Sequence, residues 1–463
     1  MLKVVKFGGS SLADAAQIKK ASDIILSDPD RRFVVDSAPG KRTPDDDKIT
    51  DLLYACQKKA AAGQAFADLF LRIRTRFEDI IAGLGISFSL TEEFALIETH
   101  LQEGASPDYA ASRGEYLNGK ILAAYLGFEF VDPADFIRFR DDGSPDLQLT
   151  NRLGQKRLAN VSHAVIPGFY GLYKKATFED HAGFYAADST SSLFKHICTF
   201  SRGGSDITGS IVACITDADV YENWTDVSGF LVADPRIVDS PAGIETITYS
   251  ELRELSYMGA TVLHEDSIFP LRGKSIPIHI RNTNYPEAGG THIVESSAKK
   301  SPYIITGVAG KKNFCSINIE KDRMNNEVGF VRRVLSAFED ARIPIEHVPT
   351  GIDTMTVFVS QDDFISKEQF IVSEIHRQVD PDLMEIESDL ALIAVVGRGI
   401  RGTRGQMAAT LFTALAEASV NIHMLDQGSS EINIIIGVEN RDFERAIRAI
   451  YAAFVKGPTN ECG

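Results

Sequence analysis

Two glycine turns carry the residues in this sequence best suited to chemistry. The first, Lys6-Phe7-Gly8-Gly9-Ser10-Ser11, follows the apolar run Leu2–Phe7 and leads into an alanine-rich segment of helical character. Glycines without a Cβ let the backbone approach an anion, and the N–H groups and dipole at a helix start favour phosphate. Lys6 adds a point charge beside Gly8 and Gly9. The spacing is neither GxxxxGK[ST] nor GxGxxG, so neither common phosphate fingerprint applies. A plain strand-to-helix turn with Ser10 or Ser11 as N-cap accounts for the same residues equally well on spacing alone.

The second turn, Ser201-Arg202-Gly203-Gly204-Ser205-Asp206, enters a helix expected from near Ile207. It sets a guanidinium able to fork onto a carboxylate beside an acidic N-cap. An N-capped loop with a solvated arginine is the structural alternative. Two such turns in one domain strengthen each other, because parallel α/β folds bind ligands at the carboxyl ends of their strands. Thr225-Asp226-Val227-Ser228-Gly229 and Ala233-Asp234-Pro235-Arg236 read either as polar caps and a turn or as a nucleotide pocket, with Arg236 near phosphate or ribose. Glu115, in Ser112-Arg113-Gly114-Glu115, opens a helical run, where a carboxylate complementing the dipole is the simpler reading. No HExxH and no Ser/His/Asp order stands out.

The elements that must position these residues follow from periodicity. Residues 1–40 read as strand, turn, helix and strand (Phe33–Val35), a βαβ opening that predicts a parallel sheet. Residues 51–125 have helical spacing around Leu69, Ile73, Phe77 and Ile80–Ile81. Strands are expected at Phe128–Val131, Ala164–Pro167, Ile211–Ile215 and Ile276–Ile280, making residues 1–295 one α/β domain. Ser296–Pro302 is polar and reads as a linker. Beyond it a β-α-β-β pattern occurs twice. Phe314–Ile319, Val328–Asp340, Ile345–Val348 and Met355–Val359 are answered by Leu390–Val396, Gln406–Glu417, Ile422–Leu425 and Ile432–Val438. Residues 303–380 and 381–463 are therefore expected to be two small ferredoxin-like modules, interleaved with each other.

A length of 463 residues implies two to three domains. The net charge of −16 excludes a binder of nucleic-acid backbones but not of nucleotides, which a few local cations and amides can hold. Cys56, Cys198, Cys214, Cys315 and Cys462 are odd in number and lack CxxC spacing, as in reduced cytoplasmic proteins. No run has the roughly 18 apolar residues of a membrane span.

Taken in order, KFGGSS (6–11), SRGE (112–115), SRGGSD (201–206), TDVSGFLVADPR (225–236), ELSYMGATVLH (254–264) and PEAGGT (286–291) resemble the aspartate kinases of the amino-acid kinase superfamily. The duplicated tail resembles the paired ACT domains that follow the kinase domain in that family, so the resemblance spans essentially the whole chain. It implies an α/β fold, a three-layer sandwich with a mainly parallel sheet, followed by two ACT modules. It also implies roles. Lys6, Gly8, Gly9 and Ser10 hold the ATP phosphates, and Asp206 orders Lys6. Glu115 takes the aspartate ammonium and Arg202 a substrate carboxylate, with Ser37 and Thr50 as substrate-side hydroxyls. Thr225, Asp226, Arg236 and Thr261 match the nucleotide pocket. Two departures stand out: Thr261 and Glu265 replace the usual GAKVLHP pattern, and the loop Ala38–Lys48 is longer than in many members.

The chemistry so implied needs no visible base. An aspartate side chain, with a reference pKa near 3.9, is already ionised at neutral pH. Transfer then rests on alignment and charge neutralisation, with Mg²⁺ carried mainly by the nucleotide phosphates. In the tail, Met324, Gly329, Phe330 and Val331 lie at a helix N-terminus suited to an effector carboxylate, and Glu346 suits its ammonium. L-lysine is the expected effector, L-threonine the second candidate, and a homodimer or dimer of dimers through the ACT modules the expected assembly. A kinase of another carboxylate such as glutamate, and an inactive amino-acid sensor, are the competing readings.

Overall fold

A computed structural model describes residues 1–174, 193–201, 203–260, 263, 267–297, 301–403, 405–428 and 430–456. They form two compact units. Residues 1–230, 245–249 and 262–297 make the first, and residues 231–244, 250–261 and 298–463 the second.

The first unit is built on strands β1 (Lys3–Phe7), β2 (Arg31–Asp36), β3 (Glu129–Phe130), β5 (Ala164–Pro167), β8 (Val220–Thr225), β9 (Thr246–Thr248), β10 (Ile278–Asn282) and β11 (Thr291–Val294). They lie in the order β3-β5-β2-β1-β8-β10-β11-β9. Pairing is parallel throughout except between β10 and β11. Strands β4 (Arg138–Phe139), β6 (Tyr170–Tyr173) and β7 (Ile197–Thr199) form a separate small sheet. The helices are α1 (Ala15–Leu26), α2 (Ile49–Ala61), α3 (Ala67–Leu84), α4 (Thr91–Gln102), α5 (Pro107–Leu126), α6 (Leu147–Leu158) and α7 (Gly204–Ile215).

One hydrophobic core joins α1–α5 to Val5 and Phe7 of β1, Val34 of β2 and Val165 of β5. In α3 the buried Phe70, Ile73, Phe77, Ile80 and Leu84 recur every three to four residues, and Gly85 ends the helix at φ +72°. Each such side chain contributes roughly 1.5–3 kcal/mol on burial. Because strand side chains alternate, Val4 and Lys6 face away from that core.

The expected strand Ile211–Ile215 is instead the last part of α7, whose residues Ile207–Ile215 are buried without exception. A short run that is apolar all round fits a buried helix as well as a strand, and only the flanking Gly203–Asp206 start distinguishes them. The strand lies further on, at β8. Its sequence, VYENWT, hides it by placing Glu222 and Asn223 among aromatic residues.

The second unit includes α8 (Tyr249–Tyr257) from Ser250 onward, and after α9 (Phe269–Arg272) of the first unit continues with β12 (Gly307–Glu320), α10 (Phe330–Asp340), β13 (Ile345–His347) and β14 (Thr354–Ser360). Helices α11 (Gln361–Ile365) and α12 (Glu368–Val379) precede β15 (Leu383–Val396), α13 (Gln406–Glu417), β16 (Met424–Asp426), β17 (Asn433–Glu439) and α14 (Phe443–Tyr451). The expected β-α-β-β order thus occurs twice. The strands make one sheet, β13-β14-β12-β15-β17-β16, in which β12 and β15 run antiparallel from Gly307↔Val396 to Glu320↔Leu383. Each repeat therefore completes its sheet with the first strand of the other. Glu251 anchors α8 in this unit by accepting from Thr306 Oγ1 at 2.6 Å and from Arg398 N and Nη1, both at 2.8 Å. No described helix is long and apolar enough to cross a membrane.

Candidate active site

The carboxyl ends of β1, β2 and β8 adjoin one another where the strand order turns back at β1, the place where such sheets bind ligands. Lys6 Nζ lies 2.6 Å from Asp206 Oδ1, with both side chains largely buried. Parallel pairing sets Asn223 of β8 beside Lys6, and Asn223 Nδ2 donates to the same Asp206 oxygen at 2.8 Å. Charge-assisted contacts of this kind fix the ammonium at the edge of the Gly8–Gly9 turn.

The turn itself departs from expectation. Gly9–Leu12 forms a short 3₁₀ turn without a side-chain cap, and α1 starts later with Asp14 as N-cap, accepting from Gln17 N at 2.9 Å. Ser10 is exposed, while Ser11 Oγ is within 2.7 Å of Thr283 Oγ1. The second turn departs likewise. The N-cap of α7 is Gly203 at φ +59°, and Asp206, in the first turn, spends its carboxylate on Lys6 and Asn223 rather than on the helix end. Arg202 lies outside the described residues.

The backbone of the Gly8–Gly9 turn is held against the loop after β2. Gly40 N donates to Gly9 O at 2.8 Å, and a Cβ on Gly40 would stand 2.6 Å from Gly9 C. Buried Arg76 of α3 ties this seam down, donating to Gly40 O at 2.8 Å, Ala13 O at 2.7 Å and Asp46 Oδ2 at 2.6 Å. Ser37 is half-buried in the same loop, and Thr50 sits half-buried in the first turn of α2.

Helix α5 starts at Ser106, which caps Tyr109 N, with Pro107 in its first turn. It carries Glu115 into the protein. Its Arg113 is fully buried, with the guanidinium 4.4 to 5.1 Å from the ring centres of Tyr109, Tyr116 and Tyr170, an aromatic cage that anchors the helix. Glu115 Oε2 has no hydrogen-bond partner. Burial pushes this carboxyl up to about 7, opposed by the Ala38 N–H and by Arg113. A buried acceptor without a donor awaits a cation, and an ammonium supplies both charge and N–H groups.

Thr225 ends β8, with its hydroxyl 3.2 Å from Asp226 Oδ1, and Asn282 Nδ2 donates to Asp226 O and Ser228 Oγ. Arg236 belongs to the second unit, where its exposed guanidinium pairs with Asp234. Thr261 and Glu265 lie outside the described residues. Of the effector candidates, Met324 and Phe330 are buried in the core under β12 and β14, and Gly329 opens α10 at φ +83°. Val331 is partly exposed. Glu346, on edge strand β13, accepts from Tyr257 Oη at 2.5 Å. Cys56, Cys198, Cys214 and Cys315 are free and buried, and Cys462 lies outside the described residues.

Sequence reasoning missed Asn223, Arg76 and Asp36. The polar Asn223 inside an apolar strand was the available signal for the first.

The profile of the amino acid kinase family matches residues 1–282, and that of an ACT domain matches residues 393–454. Aspartokinase 3 of Bacillus subtilis is 38% identical, the match covering 98% of this chain and 99% of the relative. The crystal structure of Clostridium acetobutylicum aspartate kinase is 47% identical over 98% of this chain and 99% of that one, with a TM-score of 0.87. Escherichia coli aspartokinase III, solved with aspartate and ADP and again with lysine and aspartate, shares the fold at 24% identity and a TM-score of 0.71 over 98% and 99% of the chains. The chain belongs to the aspartate kinases, ATP-dependent enzymes of the amino acid kinase family that carry ACT domains.

Proposed function

We propose that this chain transfers the γ-phosphoryl group of ATP to the β-carboxylate of L-aspartate, giving 4-phospho-L-aspartate, under feedback control by L-lysine. A carboxylate oxygen attacks the γ-phosphorus, the bond to the β–γ bridging oxygen breaks, and ADP leaves. Lys6 neutralises the charge that develops on the phosphoryl oxygens, and the Gly8–Gly9 turn, whose Gly8 N–H is held by Trp224 O at 2.9 Å, lets the phosphates approach the backbone. Mg²⁺ arriving on the nucleotide would supply further neutralisation at the phosphates. Glu115 receives the substrate ammonium and Arg202 a carboxylate. Ser37 and Thr50 serve the substrate side; Ser10, Thr225, Asp226, Arg236 and Thr261 serve the nucleotide.

The observation that carries this reading is a fixed cation, Lys6, at the glycine turn after β1, together with a buried carboxylate on α5, Glu115, whose Oε2 has no partner. Catalysis is assigned to residues 1–295 and regulation to 303–380 and 381–463, in a cytoplasmic homodimer or dimer of dimers. Lysine as effector is supported by the ACT match and by Glu346 on an edge strand; calorimetry with lysine and with threonine decides between them. The activity test is ADP release coupled to a dehydrogenase, with L-aspartate and L-glutamate as rival acceptors. Turnover with aspartate alone, and a KM for aspartate raised at least about tenfold by Glu115→Gln, is the expected result. ADP release indifferent to aspartate, or an unchanged KM in Glu115→Gln, overturns the reading.

A further inference from the structure

A second carboxylate is buried behind Glu115 and has no assigned work. Asp36 ends β2 with no exposed surface, and neither of its carboxylate oxygens has a hydrogen-bond partner. Its Oδ1 lies against α5, so near Gly119 that a Cβ there would be 2.7 Å away. Glu115, Asn118 and Gly119 stand at i, i+3 and i+4, on one face of that helix. On this face Glu115 Oε2 and Asn118 Oδ1 are also buried and unpartnered, while the Asn118 amide is spent on Ser37 O at 2.8 Å.

Four buried acceptor oxygens with no donor cannot all persist as such, because each forfeits a hydrogen bond and two would be neighbouring charges. One proton resolves the conflict by turning a carboxylate oxygen into an O–H donor. Asp36 is the group that holds it: burial first, and the charge of Glu115 second, push its carboxyl well above the usual range. Glu115, raised less, is the one left ionised. Of the other ionisable groups, Arg113 favours ionised Glu115, and Tyr54 of α2 faces it, its hydroxyl raised partly by Glu115. The end of β5, Pro167, and the following Gly168 pack here, both uncharged.

We propose that Asp36 is a positioning residue of the aspartate subsite, a neutral carboxylic acid whose O–H donates to the Glu115 carboxylate and fixes it for the substrate ammonium. The proposal rests on the assignment of Glu115 to that ammonium. Asp36 does not touch the substrate; it holds Glu115 in one orientation and in its charged form. An amide at this position keeps a donor of the same shape and an alkyl group does not.

The test compares Asp36→Asn and Asp36→Leu with the parent enzyme in KM for aspartate, kcat and the pH profile of KM. Asp36→Asn keeps KM near the parent value. Asp36→Leu raises it about tenfold, the low end of what a hydrogen bond to a charged group is worth, with a smaller fall in kcat. In Asp36→Leu the rise of KM on acidification begins at higher pH, because Glu115 has lost the donor that favours its charge. Infrared difference spectra keep the question decidable should Asp36→Leu not fold. The parent at about pH 9, above the Glu115 titration, keeps a protonated-carboxyl carbonyl band that shifts on adding L-aspartate and is absent from Asp36→Asn. Equal KM rises in both variants, unchanged values in both, or no such band overturns the proposal. If Glu115→Gln leaves KM unchanged, the ammonium assignment itself fails; if it raises KM while the Asp36 variants are silent, only the present inference does.

Discussion

Lys6 Nζ and Asp206 Oδ1 meet at 2.6 Å across a chain separation of two hundred residues, and Asn223 completes the contact from the strand beside Lys6. A lysine on a flexible stem would lose that entropy anew in each turnover. Here its ammonium is already held, so in the role proposed for it its charge would be preorganised for a phosphoryl group whose own charge spreads in the transition state.

Lys6→Ala is therefore expected to lower kcat by about 10²-fold or more, with a much smaller rise in KM for aspartate. Asn223→Ala leaves Asp206 and Lys6 in place but unsteadied, and is expected to lower kcat by an intermediate factor. Steady-state kinetics with both substrates varied checks the order. A Lys6→Ala enzyme with most of its kcat, or an Asn223→Ala enzyme worse than Lys6→Ala, contradicts this account of the site.

Glu115 sets function against stability. Its carboxyl moves from 4.5 when exposed to about 7 in the fold, with burial as the leading cause. The folded state therefore holds a proton that the unfolded chain releases, and stability from this group is full below pH 4.5 and lost as pH rises through about 7. Above that window the unliganded enzyme carries a penalty on the order of 3 kcal/mol. Glu115→Gln is expected to stabilise the unliganded enzyme at pH 8 by up to that amount, and far less at pH 5. Denaturant melts at the two pH values check it; equal stabilisation at both would deny the buried charge. If Glu115 receives the substrate ammonium as proposed, the KM for aspartate is expected to rise as pH falls below about 7, where Glu115 takes up its proton.

Much of this arrangement is legible in the sequence, because its parts are local. The Lys6–Ser11 turn between a strand and a helix, the run of helices through residues 51–125 and the twofold β-α-β-β tail all follow from glycine placement and periodicity. What escapes is what depends on distant partners. Asn223 acquires its work only through the parallel register of β1 and β8. Arg76 reads as one more charge on α3 until the loop containing Gly40 and Asp46 folds over it. Asp36 looks like the polar end of an apolar strand, and only the packing of Gly119 against it reveals a buried acid. The run Ile211–Ile215 misleads for the same reason, since burial on every side erases the period that separates helix from strand.

The last relationship bears on regulation. Tyr257, in the ELSYMGA stretch of α8, donates its hydroxyl to Glu346 on β13 at 2.5 Å, and both belong to the second unit. Burial and this carboxylate together push the Tyr257 hydroxyl up, keeping it protonated and donating throughout the physiological range. If Glu346 receives the effector ammonium, lysine must compete with the tyrosine for the same carboxylate. Tyr257→Phe removes the competitor while keeping the ring, so lysine is expected to bind and inhibit at about tenfold lower concentration, the worth of one hydrogen bond to a charge. Glu346→Ala is expected to abolish the response to lysine with little change in uninhibited kcat. Because coupling between sites is reciprocal, lysine bound to Tyr257→Phe must also shift the affinity for aspartate or ATP. Calorimetric titration of lysine into the parent, Tyr257→Phe and Glu346→Ala proteins, alongside inhibition curves, measures both effects. An unaltered lysine affinity in Tyr257→Phe, with binding lost in Glu346→Ala, would mean that the tyrosine contact is not displaced by the effector; unaltered affinity in both would remove Glu346 from the effector site.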